Sequence, residues 1–181
     1  KKLNYIHLDT GAMYRCVAYK ANLNNIALDD EPQLIKMIEQ TSIVITNDND
    51  VFVDGIQVNK EIRTNEMSMA ASNVSKLPMV RHLLVLMQQE MAKEKGYILD
   101  GRDIGTVVLK DAEVKIFLTA SSKVRASRRQ LQNLELGIET DLISLQEEIE
   151  KRDYQDTSRT TSPLKKADDA IEIDASSLTI E

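Results

Sequence analysis

Two short apolar segments of this chain are each followed by a motif that begins with aspartate and contains a glycine and an arginine. Leu8 ends the first segment and precedes the motif at residues 9–15; Leu99 ends the second and precedes residues 100–103. Short apolar runs bounded by turn residues predict buried strands, and the helical patterns between them predict parallel pairing. Because ligands bind beyond the carboxyl ends of parallel strands, both motifs are expected to face one crevice.

The rest of the chain alternates between strand and helix patterns, which predicts an α/β fold with one parallel sheet and flanking helices. The strands of that sheet are predicted at residues 5–8, 97–99, 114–118 and 170–174. The helices are predicted at residues 12–23, 31–41, 65–76, 79–95, 121–136 and 141–157.

A small antiparallel β insert interrupts this alternation. Residues 42–46, 51–53 and 56–58 are predicted as three short strands, and Asp54-Gly55 is a strong signal for a two-residue hairpin. An alternating layer of strands and helices does not require such an insert. We therefore expect it to lie on the substrate side of the molecule.

The charge of the chain limits its partners. The formal net charge is −6, whereas a broad nucleic-acid footprint needs clustered basic charge, so no nucleic-acid partner is expected. An anionic ligand must instead meet a local concentration of arginine. Each of the two motifs supplies one such residue, Arg15 and Arg102, and arginine can grip a phosphate with two hydrogen bonds.

Further arginines lie in the two helices before the last predicted strand. Arg125, Arg128 and Arg129 share one helix face by their spacing, and Arg152 and Arg159 share another with Asp156. A solvated charged face is the ordinary explanation for such a pattern. However, this helical hairpin lies between the last two strands of the sheet, where a mobile lid would close over the crevice, and arginines there suit phosphoryl transfer.

Several other classes of site are not indicated. His7 and His82 lack metal-ligand spacing, so no protein metal centre is predicted, and His7 is expected in the core or just behind the site. Cys16 is the only cysteine, which fits a reducing cytoplasm, and it is expected to be a small buried apolar residue. No apolar run approaches about eighteen residues, so no membrane span is predicted. The chain is expected to be a monomer.

Taken together, these residues resemble the bacterial cytidylate kinases, nucleoside monophosphate kinases of the P-loop superfamily. The runs that carry the resemblance are residues 8–15, 70–72, 80–81, 100–108, 152–159 and 162–164. The most specific of them is DGRDIGTVV at residues 100–108. The resemblance implies transfer of a phosphoryl group from ATP to CMP or dCMP, giving ADP and (d)CDP, with Mg²⁺ as the accompanying cation.

The resemblance also implies a division of the chain and a set of substrate-binding residues. The core would be residues 1–41, 77–119 and 160–181, with a monophosphate-binding insert at 42–76 and a helical lid at 120–159. The implied substrate-binding residues are Thr10, Arg15, Ser72, Arg81, Asp100, Arg102, Asp103, Arg152 and Asp156.

Catalysis is implied for Arg102, Arg159 and Arg15. Arg15 and Arg102 would hold the CMP phosphate with Thr10 nearby, and Arg159 would reach the transferred phosphoryl group from the lid. The arginines implied on the ATP side of the lid are Arg128, Arg129 and Arg159.

The base and the sugar have their own implied contacts. Ser72, Arg81 and Asp103 would read the cytosine edge, which needs both a donor and an acceptor. Asp156, helped by Arg152, would contact the ribose hydroxyls.

Members of this family begin with a strand, a GxxxxGK[ST] loop and a helix, roughly thirty residues in all. This sequence starts just before the second strand, so we expect it to be an incomplete copy of a longer protein. The first strand would be central in the sheet, and leaving it out should expose strand edges and an apolar face. Without the loop lysine and its Mg²⁺-binding hydroxyl, these 181 residues alone are expected to be inactive.

The sequence is compatible with two other functions. A module that has lost triphosphate chemistry would bind CMP without binding ATP or turning it over. A kinase for another monophosphate, such as UMP or AMP, would differ at the base-reading residues Ser72 and Asp103.

Overall fold

The computed structural model describes residues 5–135 and 137–179. Residues 1–4, 136 and 180–181, which the predicted core and fifth helix include, lie outside the described residues. The strands are β1 (Ile6–Asp9), β2 (Ile43–Ile45), β3 (Val51–Val53), β4 (Ile56–Gln57), β5 (Tyr97–Asp100), β6 (Ile116–Thr119) and β7 (Ile171–Asp174). The α-helices are α1 (Thr10–Leu23), α2 (Glu31–Glu39), α3 (Asn65–Val74), α4 (Pro78–Met91), α5 (Ser122–Glu135) and α6 (Leu142–Ser158).

The mixed α/β class and the parallel pairing of its core strands are confirmed. β1 pairs with β5 in parallel, from Ile6 opposite Tyr97 to Asp9 opposite Asp100. β6 pairs with β7, also in parallel. Within the described residues no ladder joins the two pairs, so the predicted parallel sheet is present there as two separate pairs.

A cleft of about 660 Å³ separates the two strand pairs. Its walls include residues from both β5 and β6, and Ile98, Ile116 and Leu118 are exposed there. Apolar strand residues are normally covered on both faces in a parallel sheet. Because no described segment fills the cleft, backbone hydrogen bonds cannot run from β5 to β6, which is the physical reason that the sheet is divided.

The antiparallel insert forms as predicted. β2, β3 and β4 make a three-stranded sheet in that order. Asp54 and Gly55 turn the chain between β3 and β4 with φ of 51° and 80°, the left-handed geometry that a two-residue hairpin favours. The Asp54 carboxylate accepts from Ser42 N at 2.9 Å and pairs with Lys20 of α1, which fixes the insert against that helix.

The core is aliphatic and surrounds α1, which packs on α2, α3 and α4. Its fully buried side chains include Met13 and Val17 of α1, Leu34 of α2, Val74 of α3 and Leu84 of α4. Burial of such side chains contributes about 1.5–3 kcal/mol each. α1 therefore has little freedom to move, and the residues of its first turns are held firmly at the end of β1.

The first helix begins two residues earlier than predicted, at Thr10 rather than at residue 12. Asp9, the last residue of β1, is its N-cap, and the Asp9 Oδ1 atom accepts from Ala12 N at 3.1 Å. This bond satisfies one of the free N–H groups at the start of the helix. The strand therefore runs into the helix without a loop, which places Arg15 beside the strand end.

α5 and α6 pack on each other as the predicted helical hairpin, and α6 also contacts α3. The Ser72 hydroxyl on α3 donates to Gln155 Oε1 on α6 at 3.1 Å. The hairpin thus lies against the insert side of the molecule. In the described part of the chain, none of the helices is both long enough and apolar enough to cross a membrane.

The packing of α4 gives a stability prediction with a matched control on the same helix. Leu84 is 0% exposed and Leu86 is 48% exposed. In the full-length protein that contains this sequence, Leu84→Ala should lower the free energy of unfolding by about 2–5 kcal/mol, because it leaves a cavity in the core. Leu86→Ala should change it by less than about 0.5 kcal/mol. Urea unfolding followed by circular dichroism measures both, and equal effects would contradict the assigned packing.

Candidate active site

One cavity of about 240 Å³ lies at the carboxyl ends of β1 and β5 and is walled by α1, α3 and α6. It brings together Arg159 and every residue that the sequence suggested for substrate binding. The predicted residues that line it are Thr10, Arg15, Ser72, Arg81, Asp100, Arg102, Asp103, Arg152, Asp156 and Arg159. The two strand-end motifs therefore do face one crevice, as expected from their position in the sheet.

The two strand ends approach each other closely at the floor of the cavity. Thr10 Oγ1 donates to the backbone oxygen of Asp100 at 2.7 Å. A Cβ atom at Gly101 would stand 2.3 Å from Thr10 Oγ1 and 2.8 Å from Ile104 Cδ1. Glycine is required here because a side chain would push the strand ends apart.

Arg15 is held at the cavity by the same carboxylate that caps its helix. Its Nη2 atom lies 2.6 Å from Asp9 Oδ2, while Asp9 Oδ1 accepts from Ala12 N. Arg15 Nε is buried and has no hydrogen-bond partner among the described residues. The Nη2 side of the Arg15 guanidinium is thus held by Asp9, and its Nε–H group remains able to donate to a ligand.

Asp156 is a buried carboxylate surrounded by three guanidinium groups. Arg102 Nε donates to its Oδ2 at 2.9 Å, and Arg159 Nη1 donates to its Oδ1 at 3.5 Å. Arg152 Nε lies 3.9 Å from Asp156 Oδ2. One negative charge faces three positive charges, so this end of the cavity is electropositive.

Burial of Arg152 and Arg159 in this arrangement disfavours their charged forms. Burial, followed by the charge of Arg102, lowers the pKa of Arg152; burial and then the charge of Arg81 lower the pKa of Arg159. Guanidinium groups nevertheless stay protonated. Within the described residues, Arg152 Nε and Arg159 Nη2 are buried without a hydrogen-bond partner. Unpaired buried donors are costly, and an anion that brought oxygen atoms to them would remove that cost.

A second charged pair lies at another part of the cavity wall. Arg81 is 3% exposed and Asp103 is 5% exposed, and Arg81 Nη2 lies 3.0 Å from Asp103 Oδ2. Arg81 Nη1 donates to the backbone oxygen of Ser75 at 3.0 Å. Arg81 Nε makes no hydrogen bond with the described residues. Asp103 is engaged by Arg81 through one oxygen, but an ionised carboxylate has about four acceptor positions. A donor and remaining acceptor capacity are therefore both present beside the cavity.

Two predicted ATP-side arginines do not line the cavity. Arg128 Nη2 donates to the backbone oxygens of Ala175 and Leu178 at 2.7 and 3.0 Å. Arg129 Nη2 donates to Asn65 Oδ1 at 3.1 Å and lies 3.5 Å from the Arg63 oxygen. In this structure both groups rest on neutral partners away from the site.

Arg125, the first arginine of α5, lies instead in the wall of the adjoining cleft. It pairs with Asp153 through both terminal nitrogens, and Arg125 Nε donates to the Ala120 oxygen at 2.9 Å. The sequence placed it on one face with its two neighbours. The spacing alone could not decide which of the three turns toward the cleft.

Sequence analysis missed Tyr14 as a cavity residue. Its ring lies in the cavity wall, and the Arg81 Cζ atom is 5.4 Å from the ring centroid. Burial, with the nearby Arg81 charge acting against it, raises the pKa of Tyr14 to about 12. Tyr14 stands inside the first motif, next to Arg15, but no polar pattern distinguishes it from a core residue.

Cys16 is placed as expected: it is fully buried, and burial raises the pKa of its thiol to about 12, so it is not a nucleophile. His7 is exposed rather than in the core. It contacts a cavity residue, with Nε2 2.8 Å from Asp100 Oδ1, and its Nδ1 lies 2.9 Å from Asn49 Oδ1. Across residues 5–135 and 137–179, no three His, Cys, Asp or Glu side chains form a metal-binding group.

Comparison with known proteins agrees with this geometry. The family model described as cytidylate kinase matches residues 1–181. The chain is 50% identical over 183 residues to the cytidylate kinase of Caldicellulosiruptor bescii, an alignment that covers 99% of this chain and 81% of that protein. It is 49% identical over 185 residues to the cytidylate kinase of Streptococcus mutans, with 99% and 82% covered.

A third relative is the cytidylate kinase of a Geobacillus species, 48% identical over 184 residues that cover all of this chain and 82% of that protein. The match to the family model extends over the whole chain, and these relatives are far above the similarity that chance produces. On this evidence the chain belongs to the cytidylate kinase family.

Proposed function

We propose that this protein transfers the γ-phosphoryl group of ATP to CMP or dCMP, giving ADP and (d)CDP. The observation that carries the proposal is one cavity lined by Arg15, Arg102, Arg152 and Arg159. Three of these arginines, all but Arg102, have a buried nitrogen without a hydrogen-bond partner among the described residues. Such a site suits a phosphate, because guanidinium groups match its oxygens in charge and in geometry. Membership of the cytidylate kinase family supports the same substrate.

Arg15 and Arg102 are proposed to hold the phosphate of CMP. They come from α1 and from the segment after β5, so they reach the cavity from two sides. Thr10 stands beside them, with its hydroxyl bonded to the Asp100 oxygen. Two arginines on fixed elements would orient the attacking phosphate oxygen, and positioning is the main task in phosphoryl transfer.

The cytosine base is proposed to lie against Ser72, Arg81 and Asp103. Cytosine presents an amino donor together with acceptor atoms, whereas uracil presents a carbonyl where cytosine has the amino group. Asp103 supplies the acceptor and Arg81 the donors for cytosine. Uracil in the same pose would leave buried polar groups unpaired, which disfavours it strongly.

The sugar is proposed to lie near Asp156 and Arg152. An ionised carboxylate has about four acceptor positions, and Asp156 uses one oxygen for Arg102 and the other for Arg159. It therefore keeps capacity to accept from a ribose hydroxyl. We also propose that residues 42–76 act as the monophosphate-binding insert and 120–159 as the lid, since α3 supplies Ser72 and α6 supplies Asp156.

The chemical step needs no protein base in this proposal. The phosphate oxygen of CMP is already a nucleophile, and in-line attack on the γ-phosphorus forms a P–O bond as the bond to ADP breaks. Arg159, with Arg102 and Arg15, would neutralise the charge that spreads over the transferred oxygens. Closure of the lid would exclude water and prevent ATP hydrolysis.

We also propose that the fold is of the P-loop type. The cleft between β5 and β6 has exposed apolar walls and shares Asp100, Gly101 and Arg102 with the substrate cavity. A parallel strand there, followed by a GxxxxGK[ST] loop, would deliver the ATP phosphates to the arginines.

Mg²⁺ fits this site as a companion of the phosphates. It is usually held by one or two carboxylates and substrate oxygens, and Asp9 and Asp100 stand opposite each other at the strand ends. Asp100 is the more available, because Ala12 and Arg15 use both Asp9 oxygens, whereas His7 contacts one oxygen of Asp100. The bound ion would offset phosphate charge.

We further propose that the enzyme is a monomer and acts in the cytoplasm.

Arg102 gives the most direct test. In the full-length protein, Arg102→Ala should lower kcat/KM for CMP by about 100-fold or more, because charge-assisted bonds to the phosphate are lost. Arg102→Lys should recover part of this loss by restoring the charge. The exposed Arg63 lies outside the cavity, so Arg63→Ala is the matched control and should behave as wild type. A coupled assay for ADP measures all three, and full activity of Arg102→Ala would contradict the phosphate-holding role.

Arg128 and Arg129 are proposed to reach ATP only when the lid moves, since their present partners are neutral and leave their charge available. Arg129→Ala should then raise KM for ATP by about five- to ten-fold and leave KM for CMP unchanged. Asn65→Ala removes the present partner of Arg129 and should not raise KM for ATP. Steady-state kinetics with each substrate varied decides the point. An unchanged KM for ATP in Arg129→Ala would exclude this residue from the ATP side.

Ser72 tests the base contacts. Ser72→Ala should raise KM for CMP about five-fold with little change in kcat, the usual cost of one neutral hydrogen bond. Ser68 lies one turn earlier on α3, is partly exposed and bonds only to the Thr64 oxygen, so Ser68→Ala should have no effect. If the two variants have the same KM for CMP, Ser72 does not contact the base.

A further inference from the structure

Tyr14 is the one aromatic residue among the described residues that line the cavity. It is 8% exposed and projects from the second turn of α1, a helix that the core holds firmly. The phosphate, the sugar and the transferred group all have charged partners in the proposed site, and none of these roles uses a tyrosine ring. Its function must therefore be sought in what it touches.

The ring of Tyr14 touches the Arg81 guanidinium. The Cζ atom of Arg81 lies 5.4 Å from the ring centroid, within the range of a cation–π contact. Both side chains are almost completely buried, and such contacts are strongest when water is excluded. The ring and the guanidinium are thus a packed pair rather than chance neighbours.

The edge of the Arg81 guanidinium is fixed by other groups. Nη1 donates to the Ser75 oxygen, and Nη2 lies 3.0 Å from Asp103 Oδ2. Those two contacts lie at the terminal nitrogens and in the plane of the guanidinium, and the third nitrogen is held only by the flexible side chain of Arg81. The Tyr14 ring packs against the face of the group. It therefore limits tilting of the guanidinium plane, which contacts at the edge restrain less.

Gln88 is a buried neighbour of Tyr14. It is 1% exposed, lies on α4 two turns after Arg81, and its side chain acts to lower the pKa of the Tyr14 phenol, against the larger effect of burial. Within the described residues, Tyr14 Oη and Gln88 Nε2 form no hydrogen bond. A small shift, or one buried water between them, would satisfy both groups. The phenol is therefore enclosed between Gln88 at its hydroxyl and Arg81 at its face.

We propose that Tyr14 is a positioning residue for base selection: its ring holds the Arg81 guanidinium at the angle at which Arg81 and Asp103 together distinguish cytosine from uracil. This inference rests on the proposed function. Discrimination by hydrogen bonding depends on leaving the wrong base unpaired, and that requires donors and acceptors that cannot turn to suit it. A freely tilting guanidinium would accept uracil more easily.

The test compares Tyr14→Phe with Tyr14→Leu in the full-length protein. The readout is the ratio of kcat/KM for CMP to kcat/KM for UMP. Tyr14→Phe keeps the ring and should stay within about three-fold of the wild-type ratio. Tyr14→Leu removes the ring and should lower the ratio by about ten-fold, chiefly through a higher KM for CMP. Thermal melting of each variant establishes that it is folded at the assay temperature.

A second background separates positioning of Arg81 from direct stacking on the base. In Arg81→Gln the guanidinium is absent, so adding Tyr14→Leu should change the ratio no further. The inference is overturned if Tyr14→Leu leaves the ratio unchanged. An equal loss of kcat/KM for CMP and UMP would be such a result, and it would indicate direct stacking of the ring on the base. It is also overturned if Tyr14→Leu has its full effect in Arg81→Gln.

The single variants decide the matter even if Arg81→Gln does not fold, because only loss of the ring should change the ratio. Failure of the proposed function itself would be seen separately, as a wild-type protein without turnover of CMP or dCMP.

Discussion

The arrangement of the site depends on one buried carboxylate, that of Asp156. Three guanidinium groups surround it, contributed by the segment after β5 and by α6 and the residue after it. Burying three positive charges close together costs free energy, both from lost hydration and from their mutual repulsion. The Asp156 carboxylate offsets part of this cost but leaves a net positive charge. The excess positive charge that remains makes this end of the cavity electropositive, which suits an anionic ligand. Because the whole chain has a net charge of −6, a positive potential in the cavity arises only from the placement of these arginines close together.

Much of this arrangement could be predicted from the sequence, because local rules govern it. The motifs that follow two apolar runs each contain a glycine and an arginine, which predicted that Arg15 and Arg102 lie at neighbouring strand ends. The pairing of Asp9 with Asp100 at the ends of β1 and β5 agrees with this prediction. The hairpin at Asp54-Gly55 followed from the positive φ angles that such a turn needs. These features depend on a few consecutive residues, and tertiary packing reinforces rather than overrides them.

The remaining features depend on relations between distant segments. Helical spacing grouped Arg125 with Arg128 and Arg129, but the rotation of α5 against its neighbours decides that Arg125 lines the cleft. Tyr14 could not be separated from a core residue, because its contact is the face of Arg81, 67 positions later in the chain. The division of the sheet likewise depends on which segments fill the space between β5 and β6.

The bond between Arg102 and Asp156 links two parts of the chain that are distant in sequence. It joins the segment after β5 to α6, and Asp156 is almost fully buried where they meet. Ions in solution screen such a contact poorly. Any outward movement of α6 would have to break this bond, so the position of α6 and the direction in which the Arg102 guanidinium points are coupled.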